Sequence, residues 1–265
     1  MALLCAAVLG AVTLACIVLP WLSPYDYYTP QLELVSRAPM WQGGHWLGTD
    51  PLGRDLLVRV LWGCRLSLAV GLAASLISLA IGVCWGSLAG YVGGRTDALM
   101  MRMVDVLYSV PFVPFVIVLS VLCGRQLWVL FVAIGAVSWL DIARIVRGET
   151  LSLKRRDFVQ AARVGGLRGA RMIRRHIVPN LLGVVIVYAT LTIPTVILFE
   201  AFMSFLGLGV RAPLASLGSL VADGASDMQA HPHLLIVPAI FLAAIVYCFN
   251  FIGDGLRDAL DPRND

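Results

Sequence analysis

The chain alternates long apolar runs with short polar segments, and the longest runs predict membrane-spanning helices. Residues 1–25 hold no charged side chain, and residues 66–94 form 29 uncharged positions between Arg65 and Arg95. Since about 20 apolar residues cross a bilayer, each run predicts a span. A signal peptide is the alternative for the first run, but it needs a positively charged start, and the first cation of this chain is Arg37.

Four further apolar segments complete a prediction of six transmembrane helices. The first of them contains Pro111 and Pro114, which spans tolerate when neighbouring helices satisfy the freed backbone groups. An even number of spans places both chain termini on one side of the membrane. The sequence therefore predicts an all-α, polytopic membrane protein. In chain order, the four segments cover residues 106–124, 126–146, 181–203 and 234–252.

Two longer polar segments separate predicted spans. Residues 22–65 hold prolines, glycines and charges that favour an ordered extramembrane loop, which ends in a short amphipathic segment, Leu56 to Leu61. Residues 204–233 are rich in glycine and proline and predict a connection that is partly re-entrant. We therefore divide the chain into a first helix with its loop, residues 1–65, and a core of five helices, residues 66–265.

The composition agrees with a membrane location. Hydrophobic residues make up 59% of the 265 residues, and charged residues make up 14%, against about 25% in soluble domains. The net charge of +4 would be slightly negative without one basic segment, which excludes a protein that coats nucleic acid. The six cysteines are scattered without metal-ligand spacing, so we expect no disulfide framework.

That basic segment, residues 149–180, carries the main functional prediction. Between Lys154 and Arg175 there are eight Lys or Arg side chains and one acid, a net charge of +7 over 22 residues. Apolar residues recur there at helical spacing, and the Gly165–Gly166 pair interrupts the pattern. We predict two short helices that bend at the glycine pair, the second of which ends at Pro179. Such a basic element between two spans is a candidate docking site on the cytoplasmic face.

The same segment decides the predicted orientation. If it is cytoplasmic, 14 Lys and Arg side chains lie inside and 6 outside, which fits the excess of cations found in cytoplasmic loops. Without the 10 cations from Arg144 to Arg175, the count becomes 4 against 6. We therefore expect both termini in the cytoplasm and the loop of residues 22–65 on the extracytoplasmic side.

The sequence carries few signs of catalytic chemistry. It has no G-x-x-x-x-G-K-[ST] segment to hold phosphate groups, so we expect no ATP hydrolysis by the chain itself. His231 and His233 could contact a metal, but a pair of loop histidines at a membrane surface is the favoured interpretation. Asp141 and Arg144, three residues apart on one helix face, are expected to pair with each other.

Glu200 is the one acid with apolar sequence on both sides. An acid inside a span is costly and marks a functional position by default, so Glu200 is a weak candidate for a substrate path. A simple interfacial position fits its place near the end of a span equally well. An ion-coupled secondary transporter or a channel would need several such acids, and at most Glu200 qualifies. That class of protein stays an alternative.

Attraction to anionic lipid is an alternative explanation of the basic segment, at roughly 1 kcal/mol for each cation. Three features predict a protein partner as well. Gln160, Ala161 and Ala162 form a small-residue cluster that allows close approach. The glycine pair and the proline fix the shape of the segment, and Asp157 lies among the cations, which lipid attraction does not require.

The order Gln160-Ala-Ala, Gly166 and Pro179, at its spacing, resembles the EAA loop of bacterial ABC importer permeases. In that family, a short helix of the loop docks in a cleft of the ATP-binding subunit. The glutamate of the family is Gln160 here, and Asp157 lies one turn earlier. The resemblance implies a coupling role for Asp157, Gln160, Ala161, Ala162, Arg163 and Gly166.

The sequence has four further distinctive blocks, at His45–Asp55, Gly90–Asp97, Ser204–Gly209 and Asn250–Pro262. These blocks resemble the C-type permease subunit of dipeptide, oligopeptide and nickel importers. The resemblance implies a type I permease fold in the bacterial inner membrane and ATP-driven alternating access. Peptide is the expected cargo, and nickel or a nickel chelate is the alternative.

The partners follow from the same resemblance. They are a B-type permease subunit, two ATP-binding subunits and an extracytoplasmic solute-binding protein, in addition to membrane lipid. ATP and Mg would be bound by the partner subunits, and we expect no cofactor in this chain and no nucleic-acid partner.

Overall fold

The computed structural model describes residues 1–40, 44–124, 127–210 and 212–260, and within these ranges no strand forms. The chain folds into ten α-helices there, with one 3₁₀ turn at Leu32–Leu34 and one π-helical turn at Ile173–Ile177. The helices are α1 (Ala2–Leu22), α2 (Leu56–Val92), α3 (Gly94–Tyr108), α4 (Phe112–Cys123), α5 (Leu127–Leu153), α6 (Asp157–Val164), α7 (Ala170–Met172), α8 (Val178–Phe205), α9 (Leu217–Ser226) and α10 (His233–Leu260).

The all-α, polytopic fold class is confirmed. Among the described residues, four helices are long and apolar enough to cross a membrane, and α3 with α4 would add a fifth span if the bent pair counts as one. α5 has 27 residues, a length of about 40 Å, which exceeds the roughly 30 Å hydrocarbon core. The six-span count stays a prediction, since the expected start of the fourth span at Gln126 lies outside the described residues.

α2 begins at Leu56, ten residues before the predicted start of the second span. Asp55 caps the helix, because its side chain accepts a hydrogen bond from the backbone N–H of Val58 at 2.9 Å. Arg59 lies in the second turn of the helix, and its guanidinium is buried against the carboxylate of Asp50. The short segment predicted at Leu56–Leu61 is therefore the first part of a single 37-residue helix, which crosses the division expected at residue 65.

The third predicted span is not one kinked helix. α3 begins at Gly94, and its axis meets that of α4 at 79° across a break at residues 109–111. Pro111 is the N-cap of α4 and has no backbone N–H, so it begins a new helix and cannot continue the previous one. The 12 residues of α4 measure about 18 Å, which is too short to cross a bilayer alone.

The second helix of the basic segment was predicted to end at Pro179, but it continues past that residue. One continuous helix of 36 residues runs from Ala170 to Phe205. It comprises α7, the π turn at Ile173–Ile177 and α8, and Pro179 lies in the first turn of α8. Proline lacks a backbone N–H and crowds the preceding turn, and the wider π turn just before it takes up this mismatch. The basic segment therefore leads into a span without a break.

Two other predicted segments contain more helix than expected. The glycine- and proline-rich connection contains α9, whose N-terminus is closed by a capping box between Ser216 and Ser219. α10 runs to Leu260, so the charged residues after 252 continue the last span as helix. The end of the predicted tail at Pro262 lies outside the described residues.

α2 is the central helix, in contact with α1, α5, α8, α9 and α10. Its glycines at 82, 86 and 90 face α5, and α5 comes so close that a Cβ atom at Gly86 would lie 2.4 Å from the carbonyl oxygen of Ala143. Four-residue spacing of glycines lets two membrane helices approach closely. Gly82 meets Ile142 of α5, and Gly90, two turns later in α2, meets Thr150, two turns later in α5. Residue numbers therefore increase in the same direction along both helices, which run parallel.

The bundle has two distinguishable ends. The α6 end holds the last turns of α2 and α5, where Gly90 meets Thr150. The opposite end, which we call the Asp50 end, holds the start of α2 and the loop before it. Gly255 of α10 contacts Ala2 of α1, so the start of α1 and the last turns of α10 lie at the same end of the bundle.

Candidate functional site

α6 is a short helix that lies across the end of the bundle and is fixed by one buried side chain. Val159 is buried and packs in a hydrophobic cluster with Met172, Ile177 and Leu181 at the start of the long helix Ala170–Phe205. Asp157 lies in the first turn of α6, where a negative charge is favoured by the helix dipole. The helix is therefore held from below, and its other faces are left uncovered.

The uncovered faces of α6 carry apolar side chains at three-residue spacing. Val164 is 90% exposed and Phe158 is 40% exposed, and Ala161 between them is also exposed. Residues three apart lie on the same side of a helix, so these three form one apolar strip. We call Phe158, Ala161 and Val164 the α6 strip.

The structure brings the predicted coupling residues together around this strip. Asp157, Gln160, Ala161 and Arg163 are exposed on α6, and Gly166 is exposed just after it, whereas Ala162 is half-buried. The side-chain amide of Gln160 donates a hydrogen bond to the carbonyl oxygen of Lys154 at 3.0 Å. Gln160 therefore folds back on its own chain. Val164 and Phe158 were missed by the sequence prediction, although their spacing from Ala161 is a readable signal.

The end of α6 is a Schellman motif built on Gly166. The backbone N–H of Leu167 donates to the carbonyl of Ala162 at 3.1 Å, and the N–H of Gly166 donates to the carbonyl of Arg163 at 3.1 Å. Gly166 has φ +87°, in the left-handed region that favours glycine, whereas Gly165 has φ −69°. The bend predicted at the glycine pair is therefore made at Gly166, and Gly165 does not require glycine for its conformation.

This difference predicts unequal effects of the same substitution at two adjacent positions. Gly166→Ala is expected to destabilise the end of α6 by about 1 kcal/mol, because alanine in the left-handed region is strained although no atom would touch its Cβ. Gly165→Ala is the control and should have a much smaller effect. Amide hydrogen exchange at Gly166 and Leu167, in the assembled complex, measures the difference. Equal exchange rates in the two variants would contradict the assignment.

Glu200 lies inside the protein. It is 0% exposed, and its carboxylate accepts hydrogen bonds from the hydroxyls of Ser204 at 2.8 Å and Ser67 at 3.1 Å. The Ser67 oxygen in turn accepts from the backbone N–H of Leu217, at the start of α9, at 3.1 Å. Glu200 thus connects α2, α8 and α9 through a chain of hydrogen bonds.

Comparison with known protein families shows which family the chain belongs to. Residues 82–265 match the family described as binding-protein-dependent transport system inner membrane component, which is more than half of the chain. The chain belongs to this family. Residues 1–39 match a second family, the N-terminal transmembrane domain of oligopeptide transport permease C.

Curated relatives agree with that assignment over nearly the whole permease. It is 52% identical to the oligopeptide transport system permease protein OppC of Haemophilus influenzae over 264 residues, which is 98% of this chain and 85% of the relative. It is 53% identical to OppC of Escherichia coli K12, over 97% of this chain and 85% of the relative. It is 44% identical to the dipeptide transport system permease protein DppC of Bacillus subtilis, over 92% and 76% of the two chains.

Among solved structures, the permease resembles a chain of the MetNI methionine ABC transporter in an inward-facing conformation. The TM-score is 0.63 at 21% sequence identity, and the match covers 77% of this chain and 97% of that one. At this identity the likeness shows the fold alone. It confirms the importer permease fold that the sequence predicted.

The structure also shows the surroundings of two residue pairs that the sequence analysis singled out, Asp141 with Arg144 and His231 with His233. The spacing of Asp141 and Arg144 predicted that they pair with each other, and this prediction is wrong. The guanidinium of Arg144 lies 2.9 Å from the carboxylate of Asp105 on α3. A partner on the neighbouring helix was nearer than one on the same helix. His231 and His233 have ring centroids 6.0 Å apart, and the described residues contain no group of three or more metal-ligating side chains.

The Asp50 end of the permease holds a buried ion cluster that sequence analysis missed. The carboxylate of Asp50 pairs with the guanidinium groups of Arg54, at 2.7 Å, and of Arg59. A cavity of about 540 Å³ lies beside this cluster and is bordered on the other side by α9. Loss of hydration raises the pKa of Asp223 on α9, and the positive charge of Arg59 partly offsets that rise.

Proposed function

We propose that this permease is one of two membrane subunits of an ATP-driven peptide importer in the bacterial inner membrane. The relatives at 52% and 53% identity are named oligopeptide permeases, and one at 44% is named a dipeptide permease. The second membrane subunit is a B-type permease, two ATP-binding subunits hold ATP and Mg, and a solute-binding protein delivers the cargo. The α6 end is cytoplasmic, as are both termini, and the Asp50 end is extracytoplasmic.

The observation that carries this proposal is the α6 strip. Val164, at 90% exposure, lies on the side of α6 away from Val159, which the described part of the chain leaves uncovered. Exposed apolar side chains with a charged rim are typical of protein docking sites, and Asp157 and Arg163 provide that rim. A lipid surface would favour the cations but not the acid at Asp157. The occupant is therefore an ATP-binding subunit, which receives α6 in a cleft.

The mechanism follows from how α6 is attached. Closure of the two ATP-binding subunits displaces α6, and Val159 transmits the displacement to the start of the long helix through the cluster with Met172 and Ile177. The long helix passes into the span without a break, so a movement at its start reaches the cavity between the two permeases. That cavity then opens alternately to the two sides of the membrane.

The sequence left two alternative functions open, an ion-coupled transporter or channel and an importer of nickel. Membership of a binding-protein-dependent transport family removes the ion-coupled transporter or channel. Nickel stays an alternative cargo, because the choice of solute in such systems lies largely with the binding protein. The ligand retained by the cognate binding protein on purification identifies the cargo, and a bound nickel ion in place of peptide would overturn the peptide proposal.

Val164→Asp is expected to separate the permease from its ATP-binding subunits. A charge within an apolar contact must be desolvated without a partner, so co-purification of the ATP-binding subunits should fall at least about tenfold. Peptide uptake should fall with it. Binding of the ATP-binding subunits is measured by pull-down from detergent-solubilised membranes.

The matched control for this experiment is Leu32→Asp. Leu32 is also strongly exposed, at 74%, but it lies in the loop that precedes the Asp50 end. The same apolar-to-acid change there should leave the ATP-binding subunits attached. If Val164→Asp retains them as well as Leu32→Asp does, α6 is not the docking element.

A further inference from the structure

The carboxyl end of α2 has carbonyl groups without partners in the helix, and one of them is occupied by a cation of the basic segment. The last four carbonyls of any helix lack intrahelical donors. The carbonyl oxygen of Tyr91, one residue before the end of α2, accepts a hydrogen bond from the ammonium group of Lys154. The same ammonium lies 5.7 Å from the centre of the Tyr91 ring. A cation is favoured at this end of a helix by the helix dipole.

Lys154 also connects the two helices on either side of it. Its backbone N–H donates to the carbonyl of Thr150 at 2.9 Å and so extends the last turn of α5. Its own carbonyl accepts the side-chain amide of Gln160, on α6, at 3.0 Å. One residue therefore holds α2 by its side chain, α5 by its backbone N–H and α6 by its backbone carbonyl.

The α2 helix is well suited to receive a movement through this junction. Its last turns lie against α5 at Gly86 and Gly90, where a Cβ would approach α5 to within 2.4 Å and 2.8 Å. Packing this close leaves no room for the two helices to slide independently. A displacement that reaches α2 therefore moves α2 and α5 as a pair. α2 also contacts α1, α3, α8, α9 and α10.

We propose that Lys154 is a positioning residue that fixes α6 to the end of α2, so that movement of the ATP-binding subunits enters the permease through the α2–α5 pair as well as through the long helix. The proposal rests on the proposed function, in which α6 receives that movement. It assigns Lys154 a role different from that of the exposed cations around it, which can face lipid or the partner. In the same proposal, Gln160 helps to fix α6 through its hydrogen bond to the Lys154 carbonyl.

The test uses the complete importer, with both permeases, the ATP-binding subunits and the binding protein, in proteoliposomes. Lys154→Met keeps the apolar stem of the side chain and removes the donor, whereas Lys154→Arg keeps a donor and a charge. Arg155→Met is the control, because it removes the same charge from the neighbouring exposed side chain. The measured quantities are co-purified ATP-binding subunits, ATP hydrolysis and peptide taken up per ATP hydrolysed.

Lys154→Met is expected to retain the ATP-binding subunits and to lower peptide uptake per ATP by about tenfold, the effect of one lost hydrogen bond to a charged group. Lys154→Arg should restore wild-type coupling, and Arg155→Met should not change it. Wild-type uptake per ATP in Lys154→Met would overturn the proposal. So would release of the ATP-binding subunits from Lys154→Met, since Lys154 would then act in docking.

A second variant keeps the proposal testable if Lys154→Met does not fold. Gln160→Leu breaks the bond to the Lys154 carbonyl and leaves the ammonium in place. It should also lower uptake per ATP. Where Lys154→Met does fold, the double variant should show less than the sum of the two losses, because both act at one junction. Additive losses, or none from Gln160→Leu, would contradict the junction. Failure of α6 docking itself is detected separately, by Val164→Asp.

Discussion

Asp50→Ala is expected to give the largest loss of stability of any single substitution considered for this permease, about 3–5 kcal/mol. The carboxylate of Asp50 is the shared partner of Arg54 and Arg59, and all three side chains are buried. Removing it leaves two guanidinium groups in the protein interior with no carboxylate of the described residues in contact, and Asp223 on α9 as the nearby acid that acts on them. The measurement is the thermal unfolding midpoint of the purified importer in detergent, which should fall by about 2–4 °C for each kcal/mol in a chain of this size.

The control for Asp50→Ala is Asp227→Ala at the same end of the permease. Asp227 lies 3.9 Å from His231, and its side chain is 37% exposed. An exposed pair of this kind contributes about 0–1 kcal/mol, so the unfolding midpoint should hardly move. A similar fall in both variants would mean that the Asp50 cluster is hydrated and contributes little.

Gly86→Ala is expected to have the second largest effect, a loss of about 1–3 kcal/mol. The added Cβ would lie 2.4 Å from the carbonyl oxygen of Ala143 and 2.9 Å from the backbone nitrogen of Arg147. Both contacts are with backbone, which cannot move aside as a flexible side chain can. α2 and α5 would have to separate. Detergent unfolding of the complex measures the loss of stability, and uptake assays measure its effect on coupling.

Gly183→Ala is the matched control for Gly86→Ala. Gly183 is also a glycine inside a long apolar helix, α8, but a Cβ there would meet no atom within 4 Å. Alanine has the higher helix propensity, so this variant should be as stable as the wild type or more stable. If Gly86→Ala is equally well tolerated, the close approach of α2 and α5 does not contribute to stability.

The parts of the fold that follow from local hydropathy could be predicted from sequence, and those that depend on a distant partner could not. α1 and the core of α2 are uncharged runs, and their lengths alone indicate spans. The start of α2 was placed ten residues late because the uncharged run begins only after Arg65, and Arg59 before it also reads as a charge in water. Its partner Asp50 is nine positions away in a loop, and only the fold brings the two together.

The candidate site likewise has features that the local sequence predicts and features that depend on distant residues. The bend at Gly166 was predictable, because few residues other than glycine adopt a positive φ at the end of a helix. The continuation of the helix past Pro179 was not, because it depends on a π turn that has no clear sequence pattern. The role of Lys154 was hidden among eight similar cations, and its contact with Tyr91 spans 63 positions of the chain.

The length of α2 has a consequence for where the cargo is transferred. With 37 residues, α2 is about 55 Å long, and a hydrocarbon core accounts for about 30 Å of that. In the orientation proposed above, the part that carries Arg59 would stand clear of the lipid tails, in the region of headgroups and water. It would then set the height above the membrane surface at which a binding protein meets the permease and releases its solute.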